Sequence, residues 1–485
     1  MGSAPGGGFG LPAGGRAAGV RKARQRAAVR QGGAGLSPLR EAILTPSEES
    51  PSELPATRLP RIVPRSDHCL SRSQISENAL KVLYRLHRSG FTAYLVGGAV
   101  RDLLLGRRPK DFDVGTNARP QQVRQLFRNA RLIGRRFRLA RVVFADEVVE
   151  VATFRRSPEP PEMEDGDTSD VLAPTVEVTE YGTPEEDARR RDFTVNGLFY
   201  NIADFTIIDY VDGLADLAAG VIRTIGPPRE RIGEDPVRMM RAVEYAARLE
   251  FRLDEPLEEA IHGMAAEIHR AAPARIAYEL LESLRGGHAH AVFRGFERHG
   301  LLTQLLPEVA ASSTSAEGAL LWRLLAAVDA ASATGNPLPD EGLLAALILP
   351  QVAPWLSRAA GDGAGFERAV RTVTTALVTR LMLSHHTAHV MRSAFLCLSR
   401  LAVPPRGGKW VVRTMRQEGY VVAVRLARAL AQEGSFSREA LDLWERAVAR
   451  AEAGMSPVPE APVVTGRRRR RRPRRRRASP GGRPA

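Results

Sequence analysis

The sequence predicts an α+β fold class, in which a small mixed sheet with flanking helices is followed by an all-α region and framed by disordered basic ends. Two observations predict this order. β-rich runs that end at glycines lie within residues 91–154, and apolar residues recur at helical spacing from about Pro236 to Glu452. A chain of 485 residues with 44% hydrophobic content can bury two or more cores.

The first predicted element is a helix that begins after Ser76. Apolar residues such as Ala79, Leu83 and Leu86 share one helical face, Ser76 can cap the N-terminus, and Gly90 suits the exit.

Short strands are predicted to follow this helix. Two of them surround a short polar turn at residues 145–147 and therefore predict a hairpin. The predicted strands are Phe91–Val96, Phe112–Val114, Arg138–Phe144, Val148–Phe154 and Thr206–Val211. Residues 156–184 are rich in Pro, Glu and Asp and predict an exposed loop.

These patterns divide the chain into five predicted segments. They are a disordered arm over residues 1–71, a head over 72–225, a helical neck over 226–300, a helical body over 301–452 and a disordered Arg-rich tail over 453–485.

The formal net charge of +15 is concentrated at the two ends. Residues 1–35 carry six basic residues and no acidic ones, and residues 466–485 carry eleven Arg and no acidic ones, so 15 − 6 − 11 leaves −2 for the middle. Basic arms gain affinity for nucleic acid by releasing counterions from phosphates, although a solubilising tail would have the same composition. The predicted RNA-binding residues of the tail are Arg467, Arg468, Arg469, Arg470, Arg471, Arg472, Arg474, Arg475, Arg476 and Arg477.

Cysteine content and hydropathy predict an intracellular, cytoplasmic protein. Cys69 and Cys397 are the only cysteines, which excludes a disulfide framework and a cysteine-based zinc site. No run approaches 18 apolar residues, so no membrane association is expected. The Arg-rich N-terminus is similar to an organelle transit peptide, but its glycines favour disorder.

The first segment with chemical content runs from Leu95 to Asp113. Gly97-Gly98 follows a predicted strand and would let backbone N–H groups approach a triphosphate. Asp111 and Asp113 are two apart, so on a strand both carboxylates would project to one side and could hold two divalent ions. An isolated Asp-x-Asp pair is more often a solvated strand end or turn.

The pair is not isolated, because four motifs occur in order. Gly97-Gly98 through Asp113, Glu150–Arg155, Glu185–Asn196 and Glu234–Arg241 together resemble the poly(A) polymerase and tRNA CCA-adding enzyme family of polymerase β-like nucleotidyltransferases. The resemblance implies a nucleotidyltransferase head followed by helical neck and body regions.

The resemblance also implies residue roles. Asp111 and Asp113 match the metal-binding carboxylates of the family, and Asp192 matches the acidic residue that acts with them. Glu150 is either a further carboxylate of this site or a charge on the exposed face of a strand. The residues implied for nucleotide binding are Gly97, Gly98, Arg101, Asp102, Arg191, Asn196, Asp235, Arg238 and Arg241, and Arg190 could also neutralise phosphate oxygens.

The segment Glu234–Arg241 predicts the start of a helix. Pro236 suits the first turn, with Glu234 or Asp235 as its cap, and Arg238 and Arg241 share one face. The resemblance implies that Asp235 and Arg238 read the base; a salt-bridge cluster at a helix start is the alternative.

Residues Leu132–Val142 favour the poly(A) branch over the CCA branch. The segment has a Gly with two basic residues before Phe137, as polymerases of this family do. Arg141 and Ala99 depart from the usual pattern. The Arg-rich tail and the absence of a metal-phosphohydrolase His-Asp domain also favour the polymerase.

Two further groups of residues do not predict sites. His385, His386 and His389 have no carboxylate close in sequence to complete a metal site, so they predict a polar helix face. The four tryptophans, Trp322, Trp355, Trp410 and Trp444, predict core or surface anchors.

The predicted reaction joins AMP from ATP to an RNA 3′ hydroxyl and releases pyrophosphate, with two Mg²⁺ ions and a role in mRNA processing and turnover. A tRNA CCA- or A-adding enzyme and a degenerate RNA-binding protein are the alternatives. RNA 3′ ends and ATP are the predicted partners, and the sequence indicates no protein partner.

Overall fold

The computed structural model describes residues 59–134, 139–156, 181–313, 316–356, 362–432 and 434–453. The described residues fall into two compact units. The first contains the residues up to 279 together with 291–305, and the second contains residues 280–290 and those from 306 onward. The α+β fold class is confirmed, and the boundaries predicted at residues 225 and 300 stay predictions.

The first unit is built on an eight-stranded mixed sheet. The strand order is β1-β8-β7-β2-β3-β6-β5-β4, and β3 and β6 are parallel whereas the other neighbours are antiparallel. The strands are β1 (Arg61–Val63), β2 (Ala93–Val96), β3 (Asp113–Thr116), β4 (Ala130–Ile133), β5 (Leu139–Val143), β6 (Val148–Thr153), β7 (Leu198–Asn201) and β8 (Ile207–Asp209). A separate parallel pair consists of β9 (Val221–Ile222) and β10 (Arg252–Leu253).

Helices account for most of the remaining described chain, and helices of the first unit pack against its sheet. The helices before residue 265 are α1 (Glu77–Arg88), α2 (Gly98–Leu104), α3 (Pro120–Leu126), α4 (Pro184–Arg189), α5 (Gly213–Ala219), α6 (Pro228–Glu234), α7 (Arg238–Leu249) and α8 (Glu255–Met264). The later helices are α9 (Pro273–Arg285), α10 (Ala289–Arg298), α11 (Leu301–Leu305), α12 (Pro307–Ser313), α13 (Ala316–Ala333), α14 (Asp340–Leu356), α15 (Gly363–Leu381), α16 (His385–Leu401), α17 (Gly408–Met415), α18 (Tyr420–Gln432) and α19 (Arg438–Glu452).

Local signals explain the entry into the sheet. The Ser76 hydroxyl accepts from the Ala79 amide at 3.1 Å and so caps α1, as predicted. Gly90 has φ +82°, a conformation that favours glycine after a helix. The chain then enters β2, which pairs with β3 and β7 in the middle of the sheet.

Aromatic and aliphatic side chains form the core on one face of this sheet. Phe154 and Phe199 are fully buried, and Tyr94 packs against both of them. Val96 and Val211 belong to the same cluster. This core fixes the adjacent ends of β2, β3 and β6, where the predicted site residues begin.

The second unit is helical, and α14 lies at its centre. Nine consecutive residues from Gly342 to Pro350 are buried, and the helix packs against α13, α15, α16 and α18. A helix that is apolar on all sides is buried in this way. Among the described residues, no helix is both long and apolar enough to cross a membrane.

Two predicted features differ from the observed elements. Strand β3 begins at Asp113, so Asp111 lies just before the strand rather than on it. Pro236 is not in the first turn of a helix: α7 begins at Arg238, and Glu234 ends α6. Asp235 separates the two helices and accepts from the Val237 amide at 3.3 Å.

Several predicted segments lie outside the described residues. They are most of the loop over residues 156–184, most of the N-terminal arm, residues 135–138 of the branch-specific segment, and the whole run of tail arginines.

Candidate active site

A cavity of about 510 Å³ in the first unit brings most of the predicted site residues together. This volume lies within the range of small-molecule sites, about 300–1,000 Å³. Its lining includes Gly97, Gly98, Arg101, Asp102, Asp111, Asp113, Arg190, Arg191, Asp192, Asn196 and Arg241.

Asp113 begins β3 and lies beside Glu150 of β6 in the parallel register. Asp113 is exposed at the start of the strand, but the surrounding protein displaces much of the water near its carboxylate. This desolvation, and then the negative charges of Glu150 and Asp111, raise the pKa of Asp113 to about 6, while Arg191 acts in the opposite direction. The site therefore concentrates negative charge that a bound cation would relieve.

Glu150 lies close to Asp113, and its carboxylate is paired with an arginine. Its carboxylate accepts from Arg141 of β5, with an N–O distance of 2.7 Å. The two residues are direct partners in the antiparallel register. Arg141, which departs from the usual family pattern, thus neutralises part of the Glu150 charge.

Asp192 is bound by two guanidinium groups. Its Oδ1 accepts a hydrogen bond from Arg238 Nε at 3.0 Å, and its Oδ2 forms an ion pair with Arg241 Nη1 at 2.7 Å. Burial acts to raise the pKa of Asp192, but Arg241 and Arg238 outweigh it and the net shift is downward. Both carboxylate oxygens of Asp192 are thus in contact with guanidinium groups. Asp192 therefore orients Arg241 at the cavity wall.

A second carboxylate, which sequence reasoning missed, orients Arg191. Buried Asp187 accepts from Arg191 at 3.0 Å and lies 3.4 Å from the Arg190 guanidinium. The three residues lie at i, i+3 and i+4 around the end of α4, and this helical spacing is the signal that could have identified Asp187.

Gly97 must be a glycine for two reasons. Its φ is +73°, and a Cβ there would lie 2.8 Å from Arg191 Nη1. Its amide donates to the Leu198 carbonyl at 3.1 Å, so this N–H is not available to a phosphate.

Arg101 is 2% exposed, and its guanidinium pairs with Asp102 at 2.7 Å and donates to Asn196 Oδ1. It also lies 5.2 Å from the centre of the Tyr245 ring. Tyr245 is a second lining residue that sequence reasoning missed, and its hydroxyl accepts from Arg241 at 3.2 Å. Because it lies four residues after Arg241, helical spacing could have identified it.

Asp235 and Arg238 are not among the residues that line the cavity. Both oxygens of Asp235 accept from Arg275, at 3.0 and 2.8 Å. Arg238 is bound by Asp192, by Glu234 and by the Arg231 carbonyl. In this arrangement the two residues form salt bridges at the α6–α7 junction, which is the alternative that the sequence left open.

The histidines of α16 are exposed on that helix, as predicted. Glu418, which is distant in sequence, lies 3.9 Å from His386 and 3.6 Å from His389. Their ligand atoms nevertheless do not form a compact set of three among the described residues.

Residues 93–223 match the family described as "Poly A polymerase head domain". Over these residues the chain is similar to that head domain. A second match covers residues 250–312 and is described as "Probable RNA and SrmB- binding site of polymerase A". The motif Glu234–Arg241 lies between the two matches.

Curated relatives that match this chain are named as poly(A) polymerases and as CCA-adding enzymes. Poly(A) polymerase I of Salmonella typhi is 48% identical over 272 residues, which is 55% of this chain and 58% of that protein. Poly(A) polymerase I of Escherichia coli O6:H1 is 49% identical over 54% of this chain and 57% of that protein. A CCA-adding enzyme of Lactobacillus helveticus is 36% identical over 48% of this chain and 54% of that protein. The match thus spans less than two thirds of each relative.

A solved structure also resembles the chain. The Bacillus stearothermophilus CCA-adding enzyme in complex with CTP has 26% identity and a TM-score of 0.53, and the alignment covers 78% of this chain and 82% of that one. The family resemblance predicted from the four motifs is confirmed by these matches.

Proposed function

We propose that this protein is a nucleotidyltransferase that adds AMP from ATP to the 3′ hydroxyl of RNA, using the head-domain cavity. The observation that carries the proposal is which of the carboxylates that line the cavity form ion pairs with arginine and which do not. Asp102, Asp187 and Asp192 are each bound by arginine. Of the described residues, none forms an ion pair with Asp111 or Asp113.

The donor set at these two aspartates fits a hard divalent cation such as Mg²⁺. Carboxylate oxygens are the ligands that Mg²⁺ prefers, and desolvation together with the neighbouring Glu150 and Asp111 carboxylates raises the pKa of Asp113. When bound, such ions activate a hydroxyl nucleophile and stabilise a leaving pyrophosphate. Two ions held by Asp111 and Asp113 remain part of the proposal.

The arginines around the cavity are suited to bind the triphosphate. Arg191 and Arg241 are held in place by Asp187 and Asp192, so little conformational entropy remains to be lost when they bind phosphate oxygens. The buried Nε of Arg191 has no hydrogen-bond acceptor among the described residues and could donate to an additional one. Arg155 and Arg248 add positive charge to the same walls.

Asp192 acts as a positioning residue in this scheme, and Asp111 and Asp113 act on the reacting groups through the cation. Reading of the base by Asp235 and Arg238 would require the Asp235–Arg275 pair to open. We therefore assign Arg238 to orienting Asp192 rather than to base recognition.

Poly(A) addition is favoured over CCA addition by the higher identity to poly(A) polymerases, 48% against 36%. CCA or A addition to tRNA is the second candidate, because relatives of that branch share the head domain. A role in mRNA processing, RNA binding by the tail arginines and a cytoplasmic location extend the same proposal.

Primer extension with Mg²⁺ tests the activity and the branch together. Each nucleoside triphosphate is offered separately to an unstructured RNA and to a tRNA trimmed at its 3′ end. A long ladder with ATP alone on the unstructured RNA supports the polymerase, whereas CMP addition that stops on the tRNA supports the alternative.

The matched variants are Asp113→Asn and Glu77→Gln. The Glu77 side chain is 93% exposed on α1 and does not line the cavity, so its substitution removes one negative charge outside the site. We expect D113N to lose at least about a hundredfold in rate while E77Q retains activity. Wild-type rates in D113N would refute the assignment of the site, and RNA binding without turnover in the wild type would indicate the degenerate RNA-binding alternative.

A further inference from the structure

A second group of metal-ligating side chains lies outside the cavity, in the first unit. Glu258 and His262 are four residues apart on α8 and therefore share a face of that helix. His299 lies directly after α10. One ligand atom from each of the three residues lies within 4.8 Å of the other two.

The distances within this group suit a shared ion. His262 Nε2 is 3.1 Å from His299 Nδ1, and His299 Nδ1 is 3.7 Å from Glu258 Oε1. Bonds of about 2.0–2.1 Å to a tetrahedral zinc ion would separate neighbouring ligand atoms by about 3.3 Å. A hydrogen bond explains the contact between the histidines, but 3.7 Å is too long for one from His299 to Glu258.

His299 is only 5% exposed, so it anchors the group in the interior of the first unit.

The end of α10 adds a favourable field. The His299 amide donates to the Gly295 carbonyl at 3.0 Å, and Gly300 with φ +75° terminates the turn. The last carbonyls of a helix carry partial negative charge, which attracts a cation. The positive charge of Arg298 opposes this attraction, and the Glu258 carboxylate offsets it.

We propose that Glu258, His262 and His299 bind one zinc-class divalent ion that joins α8 to the end of α10. Two imidazoles and one carboxylate leave a fourth position for water. Imidazole ligands favour zinc, cobalt and nickel over magnesium, so this ion differs in kind from one held by Asp111 and Asp113. All three ligands lie within residues 250–312, the second family match, so the ion would brace the region that resembles an RNA-binding segment.

The test uses the untagged full-length chain after treatment with a chelator. Titration with Co²⁺ is expected to give visible absorption of a low-coordinate site that saturates at one ion per chain and is displaced by Zn²⁺. Zn²⁺ is expected to raise the melting temperature of the wild type. His262→Ala should weaken Co²⁺ binding at least about tenfold and reduce the thermal shift that Zn²⁺ causes.

Two controls make the result specific. The side chain of His262 is exposed, so H262A is expected to fold, which circular dichroism checks. The double variant H386A/H389A removes the histidines near Glu418 in the second unit and should leave the Co²⁺ signal unchanged. Absence of saturable binding, or a signal that persists in H262A and disappears in H386A/H389A, would overturn the proposal.

Discussion

Replacement of Asp192 by Asn tests whether the two arginine pairs at this residue hold the cavity wall. The substitution keeps the shape of the side chain and removes the negative charge that both guanidiniums share. The amide nitrogen of Asn would also face one of the two guanidiniums, so one of the two favourable contacts is replaced by a repulsive one.

The expected cost follows from the burial of the three side chains. Asp192 is 16% exposed, Arg238 11% and Arg241 30%. Removal of one partner from a buried pair costs about 3–5 kcal/mol, and the partial exposure of Arg241 reduces this to about 2–4 kcal/mol. Because the folded-state pKa of Asp192 is lowered, its contribution is present above the unfolded pKa of about 4 and is lost as the pH falls through the folded value. The cost should therefore be constant from pH 6 to 8.

Hydrogen exchange of the backbone amides in α7 measures this effect locally. Tryptophan fluorescence would not, since all four tryptophans follow residue 306 and belong to the second unit. A loss of about 2–4 kcal/mol corresponds to exchange that is roughly 30–1,000 times faster, at about 1.4 kcal/mol per factor of ten.

Asp235→Asn is the matched control, because Asp235 also binds arginine through both oxygens. Its partner Arg275 is 53% exposed, and surface pairs contribute about 0–1 kcal/mol. If α7 exchanges no faster in D192N than in D235N, the proposed support of Arg241 by Asp192 is wrong.

Two other predictions concern the backbone at the cavity and the cysteines. Gly97→Ala should destabilise the first unit by about 1–2 kcal/mol, because φ is +73° and the added Cβ would lie 2.8 Å from Arg191 Nη1. Calorimetry measures this loss. Gly106→Ala is the control, because φ there is +68° but the space around the added Cβ is open, so it reports the backbone strain alone. A thiol reagent at pH 8 should modify only Cys69 in the native chain, because Cys397 is buried and burial raises the pKa of its thiol to about 11. Modification of both thiols before unfolding would contradict the structure.

Local patterns predicted the elements whose contacts are near in sequence. The β5–β6 hairpin surrounds the short polar turn that predicted it, and the cap at Ser76 depends on a residue three positions away. The start of α7 was predicted wrongly, although Pro236 is a good signal for a helix start. Arg275, 40 residues away, binds both oxygens of Asp235, and this tertiary pair accompanies a break in the helix that sequence periodicity does not report.

The partners of the site residues could not be predicted, since they come from distant strands and helices. The pairing of Asp113 with Glu150 depends on the parallel register of β3 and β6, which are separated by more than 30 residues. Motif matching predicted that Asp192 acts with the metal-binding carboxylates, and the structure places Asp192 in the lining of the cavity. Its two arginine partners, visible only in the folded chain, favour a positioning role instead.

The same charge pairing predicts opposite stability effects for two aspartates that the motifs group together. Arginine stabilises the charged form of Asp192. Asp113 instead has a raised pKa of about 6, so its charged form is disfavoured in the folded state. The contribution of Asp113 to stability therefore falls as the pH rises from about 4 to 6. At pH 7, D113N should therefore be at least as stable as the wild type in a thermal unfolding experiment without divalent ions, although it should be inactive. Mg²⁺ should stabilise the wild type and not D113N, because binding to the folded state alone raises stability. A D113N protein that unfolds at a lower temperature than the wild type without Mg²⁺ would show that Asp113 serves the fold, and the argument that Asp113 is kept unpaired for a cation would fail.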